Sequence, residues 1–168
     1  MIIKELRDED FTNYKLPSMV IGFPSCTFKC EKECNCKGMC QNSELAKSSN
    51  IEISAKEIVA RYQASPISQA LVCGGLEPFD SWDDLFALLI EFRARCDDDF
   101  IIYTGYTKEE LQAMNSPVWS TTSYLFRLSC FSNVIIKFGR YIPNQKPHYD
   151  SVLGINLASD NQYAERIS

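Results

Sequence analysis

Ser18-Met-Val-Ile-Gly-Phe23 leads, two residues on, into Cys26-Thr-Phe-Lys-Cys30-Glu-Lys-Glu-Cys34-Asn-Cys36-Lys-Gly-Met-Cys40. The short apolar run reads as a strand buried on both faces, the kind found in parallel sheets covered by helices. The cysteine loop then leaves the carboxyl end of that strand, where the ligands of α/β sheets gather. Downstream the pattern repeats. Ser54-Ala-Lys-Glu57 is a capping box opening a helix to about Ser65, and Ala70-Leu-Val-Cys73 is a second buried strand. From Ser81 the apolar positions Trp82, Leu85, Phe86, Leu89 and Phe92 keep helical spacing. Phe100-Ile-Ile-Tyr-Thr104 is a third strand, Thr107-Lys-Glu-Glu110 caps a third helix, and Asn133-Val-Ile-Ile-Lys-Phe138 is a fourth strand. Strands alternating with helices predict a mostly parallel α/β sheet.

The chain has 168 residues, 45% of them hydrophobic, enough for a single domain over 1–168 whose core needs no covalent staples. Lys4, Glu5, Arg7, Asp8, Glu9, Asp10 and Lys15 interrupt any signal-peptide core. No later run approaches the roughly 20 apolar residues of a membrane span. A cytoplasmic protein is expected, and in that reducing compartment the eight cysteines read as ligands and buried thiols rather than disulfides. A net charge of −5 with no basic stripe argues against nucleic acid as a partner and favours a protein or small molecule.

Five cysteines fall in the loop of about residues 24–46, close enough in sequence to converge on one metal centre. Their spacing alone leaves zinc, an iron-sulfur cluster and free thiols all open. Gly74-Gly-Leu-Glu-Pro78 follows the second strand: two glycines admit a ligand close to the backbone, and Glu77 beside them can hold an ammonium group. With Thr104-Gly-Tyr106 and Gly139-Arg-Tyr141, the cysteine loop and this turn make four segments that share one rim of strand ends. Other conspicuous residues have plainer readings. Cys73, Cys96 and Cys130 read as buried structural thiols, His148 as a solvated side chain in a Pro-rich loop, Asp97-Asp-Asp99 as a solvated turn, and Trp82, Phe86 and Phe92 as core.

The cysteine loop followed by a Gly-Gly-Glu-Pro-like turn resembles the radical S-adenosylmethionine (SAM) enzymes. Tyr103-Thr-Gly-Tyr-Thr-Lys-Glu-Glu-Leu111, Phe138-Gly-Arg-Tyr141 and Ser159-Asp-Asn-Gln162 are similar, in order, to segments of one family within them, the activating proteins of anaerobic ribonucleoside-triphosphate reductases. The resemblance spans roughly residues 20–165. It implies a shortened open parallel (β/α) barrel of the radical SAM type, three cysteines holding a [4Fe-4S] cluster with one open iron, and S-adenosyl-L-methionine bound there by its methionine end. The implied partners are an anaerobic ribonucleotide reductase, a glycyl radical enzyme, and a reducing electron donor such as flavodoxin.

The usual C-x3-C-x2-C pattern keeps its first gap, Cys26 to Cys30, and loses its second, so Cys34, Cys36 and Cys40 compete as third ligand. The resemblance favours Cys40, because Cys40-Gln-Asn42 matches the family's ending and the apolar Met39 occupies the position beside the adenine. Residues 31–37 are then an insertion with Cys34 and Cys36 to spare. The implied cofactor-binding set is Met39, Asn42, Gly74, Gly75, Glu77, Pro78, Thr104 and Tyr106, with Cys26, Cys30 and Cys40 on the metal; no catalytic side chain is implied. Leu76 intrudes into the glycine turn, and Phe138 stands where the family has Asp. A radical SAM enzyme with another protein or peptide partner, and a non-catalytic zinc-binding interaction module, are the alternatives.

Overall fold

The apolar runs form the centre of a six-stranded sheet. The computed structural model describes residues 1–35, 38–114 and 122–168. The chain begins with β1 (Ile2–Ile3) and β2 (Glu5–Asp10), then β3 (Ser18–Phe23), α1 (Lys29–Cys34), α2 (Ser43–Lys47), β4 (Ile51–Glu52) and α3 (Ala55–Ala64). It continues with β5 (Ala70–Gly75), a single 3-10 turn at Pro78–Ser81, α4 (Trp82–Arg93), β6 (Asp99–Tyr103), α5 (Lys108–Ala113) and α6 (Tyr124–Leu128). β7 (Val134–Phe138), β8 (His148–Asp150), β9 (Ile155–Leu157) and β10 (Tyr163–Arg166) complete it.

Spatial order in the sheet is β10-β7-β6-β5-β3-β2. The four strands read from sequence pair in parallel, with Gly22 opposite Gly74 and Tyr103 opposite Lys137 near their carboxyl ends. The two outer strands are antiparallel, and the sheet is open. β2 carries the charged sequence Glu-Leu-Arg-Asp-Glu-Asp, which suits an edge strand with one side in water.

Side chains alternate between two cores. Met19, Ile21, Phe23, Leu71, Cys73, Phe100, Ile102, Val134, Ile136 and Phe138 face α3 to α6, where Ile58, Tyr62, Trp82, Leu85, Leu89 and Phe92 meet them. Each such fully buried side chain contributes about 1.5–3 kcal/mol. Both helices with sequence-readable starts carry complete capping boxes, Ser54 with Glu57 and Thr107 with Glu110. On the opposite face Val20, Val72, Ile101 and Ile135 pack against Tyr14, Leu153 and Leu157, a cover supplied by the loop before β3 and by the β8-β9 hairpin.

Three plainer readings need correction. Cys130 is exposed and Cys96 only half-buried, so Cys73 alone of the three is a buried thiol. Asp99 opens β6 and accepts a hydrogen bond from Tyr14 Oη at 2.6 Å, while Asp98 accepts one from Tyr62 Oη at 2.7 Å; these carboxylates anchor buried tyrosines rather than decorate a turn. His148 begins β8 and is half-buried. Among the described residues no helix is long and apolar enough to cross a membrane.

Candidate cluster and cofactor site

All four strand-end segments border one cavity of about 360 Å³, within the range of small-molecule sites. Cys26, Cys30, Met39, Cys40, Asn42, Gly74, Gly75, Glu77, Thr104 and Tyr106 line it, as do Cys34, Gly139, Arg140 and Tyr141. Pro78 does not; it is buried at the start of the 3-10 turn. Cys36 lies outside the described residues.

The glycines of β3 and β5 set how closely the loop approaches. Gly75 has φ of +80°, and a Cβ there would sit 2.6 Å from Gly22 Cα. Gly22 is equally tight, its hypothetical Cβ lying 2.9 Å from Glu5 Cβ. Leu45 of α2 packs over both glycines, and Asn42 Nδ2 donates to the Gly75 carbonyl. The carboxyl-terminal end of the cysteine loop is thus fastened onto the glycine turn.

Glu77 turns its carboxylate toward the next strand end. Thr104 Oγ1 and Phe79 N donate to one oxygen at 2.8 and 3.2 Å, and Gly105 N donates to the other at 2.8 Å. Burial pushes this carboxyl up to about 7, and the three donors hold it from rising further. Asp80 ties the loop to the same rim, accepting from Thr27 N at 2.8 Å and Tyr106 Oη at 2.7 Å. A second tie is ionic: Glu110 of α5 pairs with Lys29 of α1 and, at 2.7 Å, with Arg140 beyond β7, while Arg140 also reaches Glu33 at 3.3 Å.

Within the loop, Phe28 takes a left-handed conformation with φ of 52°, and its amide donates to Cys26 Sγ at 3.2 Å. Glu31 Oε1 accepts from Cys40 N at 2.9 Å, folding the loop back across α1. Cys26, Cys30 and Cys40 are half-buried, whereas Cys34 is exposed at the end of α1. Burial pushes the Cys26 thiol up to about 11; it also raises Cys30, and the neighbouring Cys40 raises Cys30 further. Cys26 in turn is raised slightly by Cys30, so Cys30 is the thiol linked electrostatically to each of the other two.

Cys26, Cys30 and Cys40 line the same cavity, and a set of soft thiolate donors with open space beside it is one that would suit an iron-sulfur cluster.

Sequence reasoning missed Asp80, Glu110 and Lys137 as rim residues. Asp80 and Glu110 sit at helix starts, where acidic residues are ordinary, and Lys137 is one polar residue in an apolar strand. Compared with known proteins, the chain matches a family model described as a 4Fe-4S single cluster domain over residues 19–148, which takes in the cysteine loop and all four parallel strands. No curated protein and no solved structure matches it.

Proposed function

We propose a radical-generating activity for this chain, which belongs to the 4Fe-4S single cluster domain family. The reading is a radical SAM activase acting on a glycyl radical enzyme of the anaerobic ribonucleotide reductase kind. One observation carries it: cysteines of a 4Fe-4S family member and a two-glycine turn border the same cavity at the carboxyl ends of parallel strands. Cys26, Cys30 and Cys40 would hold the cluster. Bound there, it would supply a single low-potential electron for reductive cleavage of S-adenosylmethionine, giving a carbon radical that takes a hydrogen atom from a glycine of the partner.

The chain's own residues supply the setting. Gly74 and Gly75 leave backbone open to a methionine amine, Met39 offers an apolar surface for adenine, and Thr104 with Glu77 keeps the rim in place. Half-burial of the three thiols would shield a bound cluster from water, which would help lower its potential. On this reading the open sheet is the shortened barrel of the radical SAM enzymes, the partner's glycine loop enters at the strand ends, and the electron comes from a small donor such as flavodoxin.

Anaerobic reconstitution with iron and sulfide, chemical reduction, and chromatography for 5′-deoxyadenosine test the reading. It expects iron and sulfide in equal amounts, then 5′-deoxyadenosine and methionine. Zinc without sulfide, or a full cluster that leaves the cofactor intact, would end it. A glycyl radical signal on a reductase mixed with the chain would distinguish this partner from another protein or peptide.

A further inference from the structure

Among the described residues four cationic side chains line the cavity: Arg7, Lys29, Lys137 and Arg140. Arg7 pairs with Glu5 at 2.7 Å and Asp10 at 2.8 Å, and Lys29 and Arg140 share Glu110. Among the described residues Lys137 alone of the four has no carboxylate partner. It is 7% exposed and sits on β7, its side chain on the cavity face, and its Nζ donates to the Gly139 carbonyl at 2.8 Å. An ammonium carries three donors, so one carbonyl leaves it under-satisfied. Glu77 is close enough to favour its charge but has its oxygens occupied by Thr104, Gly105 and Phe79. Burial pushes Lys137 down to about 8, the cost of keeping a cation where an apolar side chain would fill the strand freely.

We propose that Lys137 Nζ is the anion-binding group of this cavity and receives a carboxylate of the bound ligand. A monoanion suits the site better than a phosphate. Among the described residues that line the space there is one cation without a carboxylate partner, and a single negative charge on the ligand is enough to match it. The carboxylate has two possible sources: the amino-acid end of an S-adenosyl compound, an identification that rests on the function proposed above, or a carboxylate on the molecule acted upon.

Side-chain NMR of 15N-labelled lysine in the cluster-loaded protein decides among them, with the Lys137 signal assigned by its loss in both K137M and K137R. If S-adenosylhomocysteine raises the midpoint of the Lys137 titration by about one pH unit, and its decarboxylated analogue does not, the ligand's own carboxylate is the partner. If S-adenosylhomocysteine binds without effect and acetate added to that complex raises the midpoint, the carboxylate belongs to the molecule acted upon. A midpoint unmoved by both overturns the proposal. Failure of S-adenosylhomocysteine to bind at all would remove the cofactor reading instead, and the acetate titration would still decide the role of Lys137.

Discussion

The cysteine loop and the strand-end rim face each other across one cavity and are built in opposite ways. α1 and α2, which carry the loop, bury no residue. The rim is buried and cross-linked, Glu77 and Thr104 being 6% and 3% exposed and bonded to each other. One side is shaped before any ligand arrives; the other is held by a few polar ties and completed by the inorganic group it binds. Metal binding in such a loop is coupled to ordering it, and the protons on thiols as basic as Cys26 must leave when the cluster assembles.

The comparison breaks most visibly at the thiols. Single Ala replacements of Cys26, Cys30 or Cys40 should reduce the content of the reconstituted protein from about four irons and four sulfides to near zero. Cys34→Ala should keep it. Cys40 is half-buried with its amide fixed by Glu31 and is felt by Cys30, whereas Cys34 is exposed at a helix end. Iron and sulfide analysis of the four proteins checks this, and a full cluster in Cys40→Ala with none in Cys34→Ala would reverse the assignment.

On the rim side the largest effect belongs to Gly75→Ala. The added Cβ would lie 2.6 Å from Gly22 Cα and 2.9 Å from Leu45 Cδ2, at a φ of +80° that disfavours alanine by about 1–2 kcal/mol on its own. The β3-β5 pairing cannot widen without moving the core, so a total loss of about 3 kcal/mol or more is expected in urea denaturation. A loss below about 1 kcal/mol would mean that the rim yields as readily as the loop.

Glu77 sharpens the comparison through pH. Its folded carboxyl keeps a proton up to about pH 7, against an ordinary value of 4.5, so between these values the folded chain binds more protons than the unfolded one. Stability from this group therefore falls as pH rises from about 4.5 to about 7, by roughly 3 kcal/mol in all. Glu77→Gln cannot titrate and should flatten that fall, read as the difference between the two proteins' denaturation midpoints across the range. Parallel curves would show that burial does not govern this carboxyl.

The same contrast explains what could be read from the sequence. The four parallel strands and the two capping boxes were legible because apolar runs and Ser-x-x-Glu or Thr-x-x-Glu patterns are local signals. β2 and β10 were not, since Glu5–Asp10 and Tyr163–Arg166 carry the charges of solvated chain and become strands only by pairing at the sheet's edges. At the site, cysteines and glycines announce themselves by type and spacing. Lys137, Asp80 and Glu110 acquire their roles from where the fold carries them, as does Asp99, which meets Tyr14 from 85 residues away.

The smallest predicted effect tests whether the loop depends on its ionic tie. Burial pushes the Glu110 carboxyl up, but hydrogen bonds from Arg140 and Lys29 outweigh this and hold it down at about 2. Its contribution is thus fully present above about pH 4.5 and lost as pH falls toward 2. Lys29 is 44% exposed and Glu110 27%, so water and salt screen the network and Glu110→Gln should cost only about 1 kcal/mol. The cost should fall on the loop rather than the sheet: release of iron to a chelator should quicken about fivefold while the urea midpoint of the cluster-free chain hardly moves. The quickening should shrink in wild-type comparisons at high salt, where the tie is already weakened. A urea midpoint that drops with no change in iron release would place the network in the global fold, and the division between a preformed rim and a tethered loop would have to be redrawn.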